Sequence, residues 1–217
     1  MSNVSRNNSF ILGLLVWLLL IALPCSVTAE DKCSEPGKFS LGLSAGFSPI
    51  LSGDAGNSQN APNYDDLFKI GHGIALEAGY RVCDYASLVA GIGYEEFSGR
   101  SYQGLDFDDL EIVPVYVGGK FHIPVDYPIK PYLLAHVGAA HFSSVEVSWH
   151  SLSANYWNSS WVFMGDVGMG LNYKVDNWNF SGSIKFRYMG APDNNLKAAD
   201  ADSSWMAPMY LGVSYSF

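Results

Sequence analysis

The feature that most constrains this chain is a strict two-residue alternation that recurs eight times after Phe39. In the first segment, residues 39–48, Phe39, Leu41, Leu43, Ala45 and Phe47 are interleaved with Ser40, Gly42, Ser44, Gly46 and Ser48. A 180° period places successive side chains on opposite faces, which only a strand with two unlike faces accommodates. Further segments follow at about 70–82, 86–97 and 110–123, led on one face by Leu76, Ile92 and Val115 and on the other by Glu77, Gly91 and Tyr116. The fifth, about 130–142, is apolar on both faces. Its phase is set with Leu133, Ala135, Val137 and Ala139 outward and Tyr132, His136, Gly138 and Ala140 inward. Segments at 161–175, 180–188 and 205–217 complete the set.

The connectors alternate in length as well. Short ones fall at 83–85, 124–129 and 176–178, and long ones at 49–69, 98–109, 143–160 and 190–203. In an up-and-down barrel every second connector lies at the same end, and short periplasmic turns opposite long external loops are the outer-membrane arrangement. The pattern therefore predicts an all-β, eight-stranded antiparallel up-and-down transmembrane β-barrel. A soluble lipocalin-like or streptavidin-like barrel has the same period with its apolar face inward. Three features favour the membrane. Aromatic residues gather at both ends of the apolar faces: Phe39, Tyr80, Tyr173, Phe180, Tyr215 and Phe217 at the short-turn end, and Phe47, Tyr94, Trp161, Phe163, Tyr188 and Trp205 at the long-loop end. Such girdles mark the two lipid–water interfaces. The other face carries Gly, Ser and opposite charges, and no apolar face has a charge at mid-strand.

Ahead of the strands, residues 1–29 read as a secretory signal peptide, leaving 30–217 as the barrel domain. Arg6 precedes an apolar run from Phe10 to Leu23, Pro24 breaks it, and Val27-Thr28-Ala29 offers small residues for cleavage. A retained anchor is the competing reading, but the run is shorter than the roughly 20 residues a spanning helix requires. Cys25 raises a lipoprotein option that Pro24 fits badly. The chain has 12 Lys+Arg against 21 Asp+Glu, a formal charge of −9. With so few cations to neutralise phosphates, nucleic acid is excluded as a partner.

The end Met209-Tyr-Leu-Gly-Val-Ser-Tyr-Ser-Phe217 resembles the C-terminal signal of outer-membrane proteins, with a terminal Phe and apolar residues at alternate upstream positions, Leu211, Val213 and Tyr215. Pro131-Tyr-Leu-Leu-Ala-His-Val-Gly138 and Glu111-Ile-Val-Pro-Val-Tyr116 are similar to strands of the small OmpA/OmpX-type barrels. The resemblance implies residence in the bacterial outer membrane, among its lipids and lipopolysaccharide. It also implies insertion by the barrel-assembly machinery. It implies no particular activity.

An eight-stranded barrel has an interior that side chains fill, so a general porin channel is not expected. The inward charges are read as Glu77, Arg81, Glu95, Glu111, Lys120, Asp166, Lys174, Lys185 and Arg187, a mixed-sign network that plugs the lumen. A narrow polar path for small solutes is the alternative. A lipid A-modifying enzyme is a third reading, for which His150-Ser151 with Glu146 is the only local trio. No catalytic residue is assigned. The histidines lack metal-type spacing and no phosphate-cradling Gly motif is present, so no metal or cofactor is expected. The role expected is structural or surface-interacting, carried out by a monomer.

The acidic loop residues Asp65, Asp66, Asp106, Asp108, Asp109, Asp200 and Asp202 read first as solvating groups. Divalent bridging to lipopolysaccharide phosphates, or contact with a basic partner, is the sharper possibility. Finally, cleavage would leave Cys33 and Cys83 in an oxidising compartment, both at the short-turn end, and they are expected to form a disulfide.

Overall fold

The computed structural model describes residues 37–56, 62–150, 152–193 and 201–217. The signal-peptide reading and Cys33 lie outside the described residues. The strands are β1 (Phe39–Ser48), β2 (Ile50–Ser52), β3 (Gly71–Cys83), β4 (Ala86–Phe97), β5 (Ser101–Tyr102), β6 (Leu105–Phe107), β7 (Leu110–His122), β8 (Ile129–Phe142), β9 (Val145–Trp149), β10 (Leu152–Trp157), β11 (Ser160–Val175), β12 (Trp178–Met189), β13 (Ser204–Met206) and β14 (Met209–Ser216). One short helix, α1 (Tyr64–Leu67), lies between β2 and β3.

Strands β1, β3, β4, β7, β8, β11, β12 and β14 pair in that order, and β14 returns to β1 to close an eight-stranded antiparallel barrel. Closure removes every free edge, as a strand structure in lipid requires. The register keeps the two faces unmixed around the circle. Leu43, for example, faces Leu76 on one side and Val213 on the other. Large apolar side chains such as Val117, Met169 and Ile184 stand exposed on the outside at mid-strand, with no outward charge between them. Aromatic pairs close both girdles: Phe39 with Tyr80 and Trp178 with Tyr215 at one end, Phe163 with Tyr188 and Phe186 with Trp205 at the other.

The first and last barrel strands are each interrupted by a proline that cannot donate to the ladder. Pro49 divides β1 from β2, and Pro208 lies between β13 and β14. The carbonyls of both prolines still accept, from the Ala207 N–H at 2.9 Å and the Lys185 N–H at 2.9 Å. Pairing therefore continues beyond the breaks, from β12 to β13 and from β13 to β2. The turn joining β11 to β12 is tight because Asp176 accepts a left-handed backbone, with φ 55°.

The long connectors, read from the sequence as external loops, carry regular structure of their own. Strands β10, β9, β6 and β5 form a separate four-stranded sheet, and with α1 they fold over the barrel mouth. The cause is a second apolar set. Phe97, Leu110, Ile112, Phe142, Val162, Met164, Met189 and Met206 occupy inward positions at the external strand ends, and all are buried. A polar lumen cannot satisfy such side chains, so Tyr64, Leu67, Phe68, Phe107, Val145 and Trp157 from the loops pack down onto them in one continuous core.

Candidate functional site

Below that apolar plug the lumen is polar and tightly paired. Arg187 on β12 is 1% exposed, and its guanidinium Nη1 lies 2.5 Å from Glu95 Oε1 on β4. Its Nε and Nη2 each stand 3.4 Å from Asp166 Oδ2 on β11. Glu95 also accepts from the Tyr210 hydroxyl and from Ser48 Oγ, both at 2.9 Å. Asp166 Oδ1 lies 2.8 Å from His136 Nδ1, and the His136 ring stacks on Tyr116 at 4.8 Å. Each residue comes from a different strand, at an inward register position. The network therefore ties the barrel across its bore.

A second layer lies toward the periplasmic end. Lys120 on β7 pairs with Glu77 on β3. The Lys185 ammonium sits over the rings of Tyr116 and Tyr210, 5.2 and 5.6 Å from their centroids, a cation–π arrangement that suits a desolvated amine. Gly91 and Gly170 make room for the rings that cross the bore. A Cβ at Gly91 would lie 2.5 Å from Tyr116 Cζ, and one at Gly170 would collide with the Tyr132 ring. What remains is a cavity of about 60 Å³ bounded by Glu77, Lys120, Tyr132, Ser183, Lys185 and Tyr210. A few waters fit there, with polar partners for each.

Eight of the nine charges expected in the lumen sit at inward register positions, and six of them form the two layers. Arg81 is inward and half-buried at the periplasmic mouth, where the β3–β4 register shifts, and makes no ion pair among the described residues. Lys174 shares the inward parity of Asp166 and lies exposed at the periplasmic end of β11. One placement is corrected. Glu111 shares the parity of Val113 and Val115 and faces outward. It stands opposite Glu96 in the β4–β7 register, and its backbone N–H donates to Ser143 Oγ at 2.9 Å. The alternation itself assigned Glu111 to the outer face, since an odd position in this strand points to lipid.

Elsewhere, Leu211 and Phe217 on the closing strand are strongly exposed, and Val213 and Tyr215 are partly so. Cys83 ends β3, partly exposed and without a disulfide partner among the described residues. His150 takes a left-handed backbone at the tip of the β9–β10 hairpin with its ring against Trp149. Glu146 lies farther down β9, and Ser151 is outside the described residues. Among the described residues no group of three or more His, Cys, Asp or Glu could hold a metal ion.

The external side has a strong electrostatic bias. Its rim and loops carry Asp54, Asp65, Asp66, Glu96, Asp106, Asp108, Asp109, Glu111, Glu146, Asp193 and Asp202, against Lys69 and Arg100 among the described residues. Arg100 is engaged, donating to the Asp65 carbonyl at 3.0 Å. Two phenols in the loops are held protonated. Burial pushes the Tyr64 hydroxyl well above the usual tyrosine range, helped by Tyr156 and the Asp202 carboxylate, and burial raises Tyr156 as well.

A closed eight-stranded barrel with a lipid-facing apolar belt, two aromatic girdles and short turns opposite long loops is an integral protein of the bacterial outer membrane. The chain belongs to the outer membrane protein beta-barrel domain family, whose model matches residues 15–217. Among solved structures it is similar to Neisserial surface protein A, at 17% identity and a TM-score of 0.54, covering 82% of this chain and 97% of that one. Ail, the attachment invasion locus protein of Yersinia pestis, is similar at 18% identity and a TM-score of 0.54, covering 84% and 100%. OprG from Pseudomonas aeruginosa follows at 13% identity and 0.53, covering 84% and 97%. At these identities the likeness is one of fold. No curated protein matches the chain.

Proposed function

We propose that this barrel serves as a structural and surface-contact protein of the outer membrane, without catalysis, and that its folded external cap is the working surface. The observation that carries this reading is the apolar core beneath the cap, in which Trp157, Tyr64 and Phe68 pack over Phe97, Leu110 and Phe142. Apolar side chains filling the mouth oppose ion passage, because water and ions have no polar partners there. The polar cavity below favours the narrow-channel alternative, but it lies beneath that plug. Outer-membrane lipids and lipopolysaccharide are the proposed surroundings of a monomer. The outward row Leu211, Val213, Tyr215 and Phe217 is the proposed recognition element for the assembly machinery.

Ail, a likeness of fold, has also been solved with the heparin analogue sucrose octasulfate. The acidic external side of the present chain disfavours so anionic a ligand. Single-channel recording on the protein reconstituted in planar bilayers tests the reading. A silent bilayer is expected, and steady unitary conductance would overturn it in favour of the channel. Mass spectrometry of lipid A after co-incubation tests the absence of catalysis, and any change in acyl chains or phosphates would refute it.

A further inference from the structure

The external sheet is amphipathic, and its apolar face extends farther than the core it covers. Register places Val145 with Trp157, Val147 with Ala154, Trp149 with Leu152 and Phe107 with Val147, so these residues share one face. Near the barrel that face is buried: Val145 and Trp157 are fully covered, and Phe107 packs edge-on against Tyr156 at 5.2 Å. Toward the hairpin tip it emerges uncovered, with Trp149 54% and Leu152 68% exposed and Ala154 exposed between them and the core. Trp149 and Leu152, paired across the hairpin, thus continue the packed core's face as an uncovered apolar edge.

The foot of this apolar wall meets an acidic floor. Tyr156 on β10 donates its hydroxyl to the Ala55 carbonyl at 2.8 Å, and Trp157 stacks on Tyr64 of α1 at 5.0 Å. Next to these anchors stand Asp54 and Asp202, joined by a backbone hydrogen bond of 2.8 Å, and Asp65 on α1. All three are exposed. The apolar face and these carboxylates therefore adjoin at the foot of the sheet, through Tyr156 and Trp157. They belong to an external side with eleven carboxylates against two cationic side chains.

We propose that this junction of apolar sheet and acidic loops binds a cationic amphipathic polypeptide segment, with its apolar side chains against Trp149, Leu152 and Ala154 and its lysines or arginines over Asp54, Asp65 and Asp202. The proposal rests on the surface-contact reading above and names the chemistry of the partner. Charge complementarity fixes the sign of the partner and the apolar wall requires it to be amphipathic.

The test uses the protein reconstituted in phosphatidylcholine vesicles, with empty vesicles subtracted. Fluorescence anisotropy would report binding of a labelled peptide of alternating Lys and Leu, an oligolysine of equal length and an alternating Glu–Leu peptide. The Lys–Leu peptide should bind at least tenfold more tightly than oligolysine, more weakly as salt rises, and the Glu–Leu peptide should not bind. Trp149→Ser/Leu152→Ser should weaken binding about tenfold, and Asp54→Asn/Asp65→Asn should weaken it and lower its salt dependence. Both pairs are exposed, and unchanged urea unfolding verifies their fold. Undetectable binding, equal affinity for oligolysine, binding of the Glu–Leu peptide, or unchanged affinity in the wall variant would each overturn the proposal. Such a failure in a protein that still gives silent bilayers leaves the surface-contact reading standing, whereas conductance overturns that reading by itself.

Discussion

Arg187 offers the strongest single test of how the bore is held. Its guanidinium is 1% exposed and faces two carboxylates, Glu95 at 2.5 Å and Asp166 at 3.4 Å, which are themselves almost fully buried. Replacing it with Met keeps much of the volume but leaves both acids without their shared cation. Breaking a buried pair in this way costs about 3–5 kcal/mol, because a charge is left uncompensated where water cannot reach it. Glu95→Gln is milder. Arg187 keeps Asp166, and the Gln carbonyl can still accept from Tyr210 while its amide N–H donates to Ser48 Oγ, so a loss of about 1–3 kcal/mol is expected. Arg187→Met/Glu95→Gln removes one carboxylate together with its cation, so the double variant should lose less than the sum of the two, with a coupling of roughly 1–3 kcal/mol. Urea unfolding in lipid vesicles, followed by tryptophan fluorescence, measures all three. If Arg187→Met lies within 1 kcal/mol of the parent, or the two changes simply add, the bore is wet enough to screen its charges. The charged layer would then be no dry, paired plug.

Replacing Leu171 or Val115 with Arg puts a charge in the lipid-facing belt and should cost roughly 2–4 kcal/mol, whereas Ser183→Ala at an inward position should change little; equal stability of all three in a lipid refolding assay would refute the assignment of faces. Trp157→Ala should destabilise the cap by about 3–5 kcal/mol, since its buried indole touches Tyr64, Phe68 and Tyr156; proteolysis confined to the external loops reports it, and an unchanged cleavage rate would count against a packed cap. Because the Tyr64 phenol is raised by burial, the closed cap holds its proton more tightly than the open one. Its stabilisation is complete below about pH 10 and is lost as pH rises from there toward the raised folded value. Tyr64→Phe should lose the hydrogen bond to the Asp202 carbonyl yet remove this alkaline loosening, seen as a change in tryptophan emission with strand content constant. A Cys33–Cys83 bridge is proposed to tether the N-terminal tail below the barrel, closing a loop of about 50 residues for roughly 4 kcal/mol in the chain-entropy model; two free thiols in unreduced, denatured protein would exclude it.

The barrel was legible in the sequence because its period is imposed by the solvent on each side. Lipid accepts only the row Leu41, Leu43 and Ala45, and the bore accepts only Gly42 and Ser44, so a one-residue slip would invert both. Even the weakly phased fifth segment falls as expected, with Leu133 exposed and His136 buried. Glu111 shows that charge alone does not assign a face: its residue type matches the lumen acids, whereas its parity is that of the outward Val113 and Val115. Which acid meets which base was not legible. Glu95 and Arg187 are 92 residues apart and come together only through the order and stagger of the strands.

The cap shows why the external loops resisted sequence reading. Their connectors are rich in Gly, Ser, Asn and Asp, which marks turns and solvated chain, and that signal masked a second one in the strands. Following inward parity to the outer ends gives Phe97 on β4, Leu110 and Ile112 on β7, Phe142 on β8, Val162 and Met164 on β11, and Met189 on β12. A polar bore has no use for such a ring of large apolar side chains. Their presence requires something apolar to arrive from outside, and the connectors hold the matching residues in Leu67, Phe68, Phe107, Val145 and Trp157. The same logic separates this buried set from Trp149 and Leu152. Those two lie on the same sheet face but beyond the reach of the ring, so the strand ends leave them uncovered. Inward parity at the outer strand ends thus dictates how much of the cap is core, and what exceeds it is surface available to a partner.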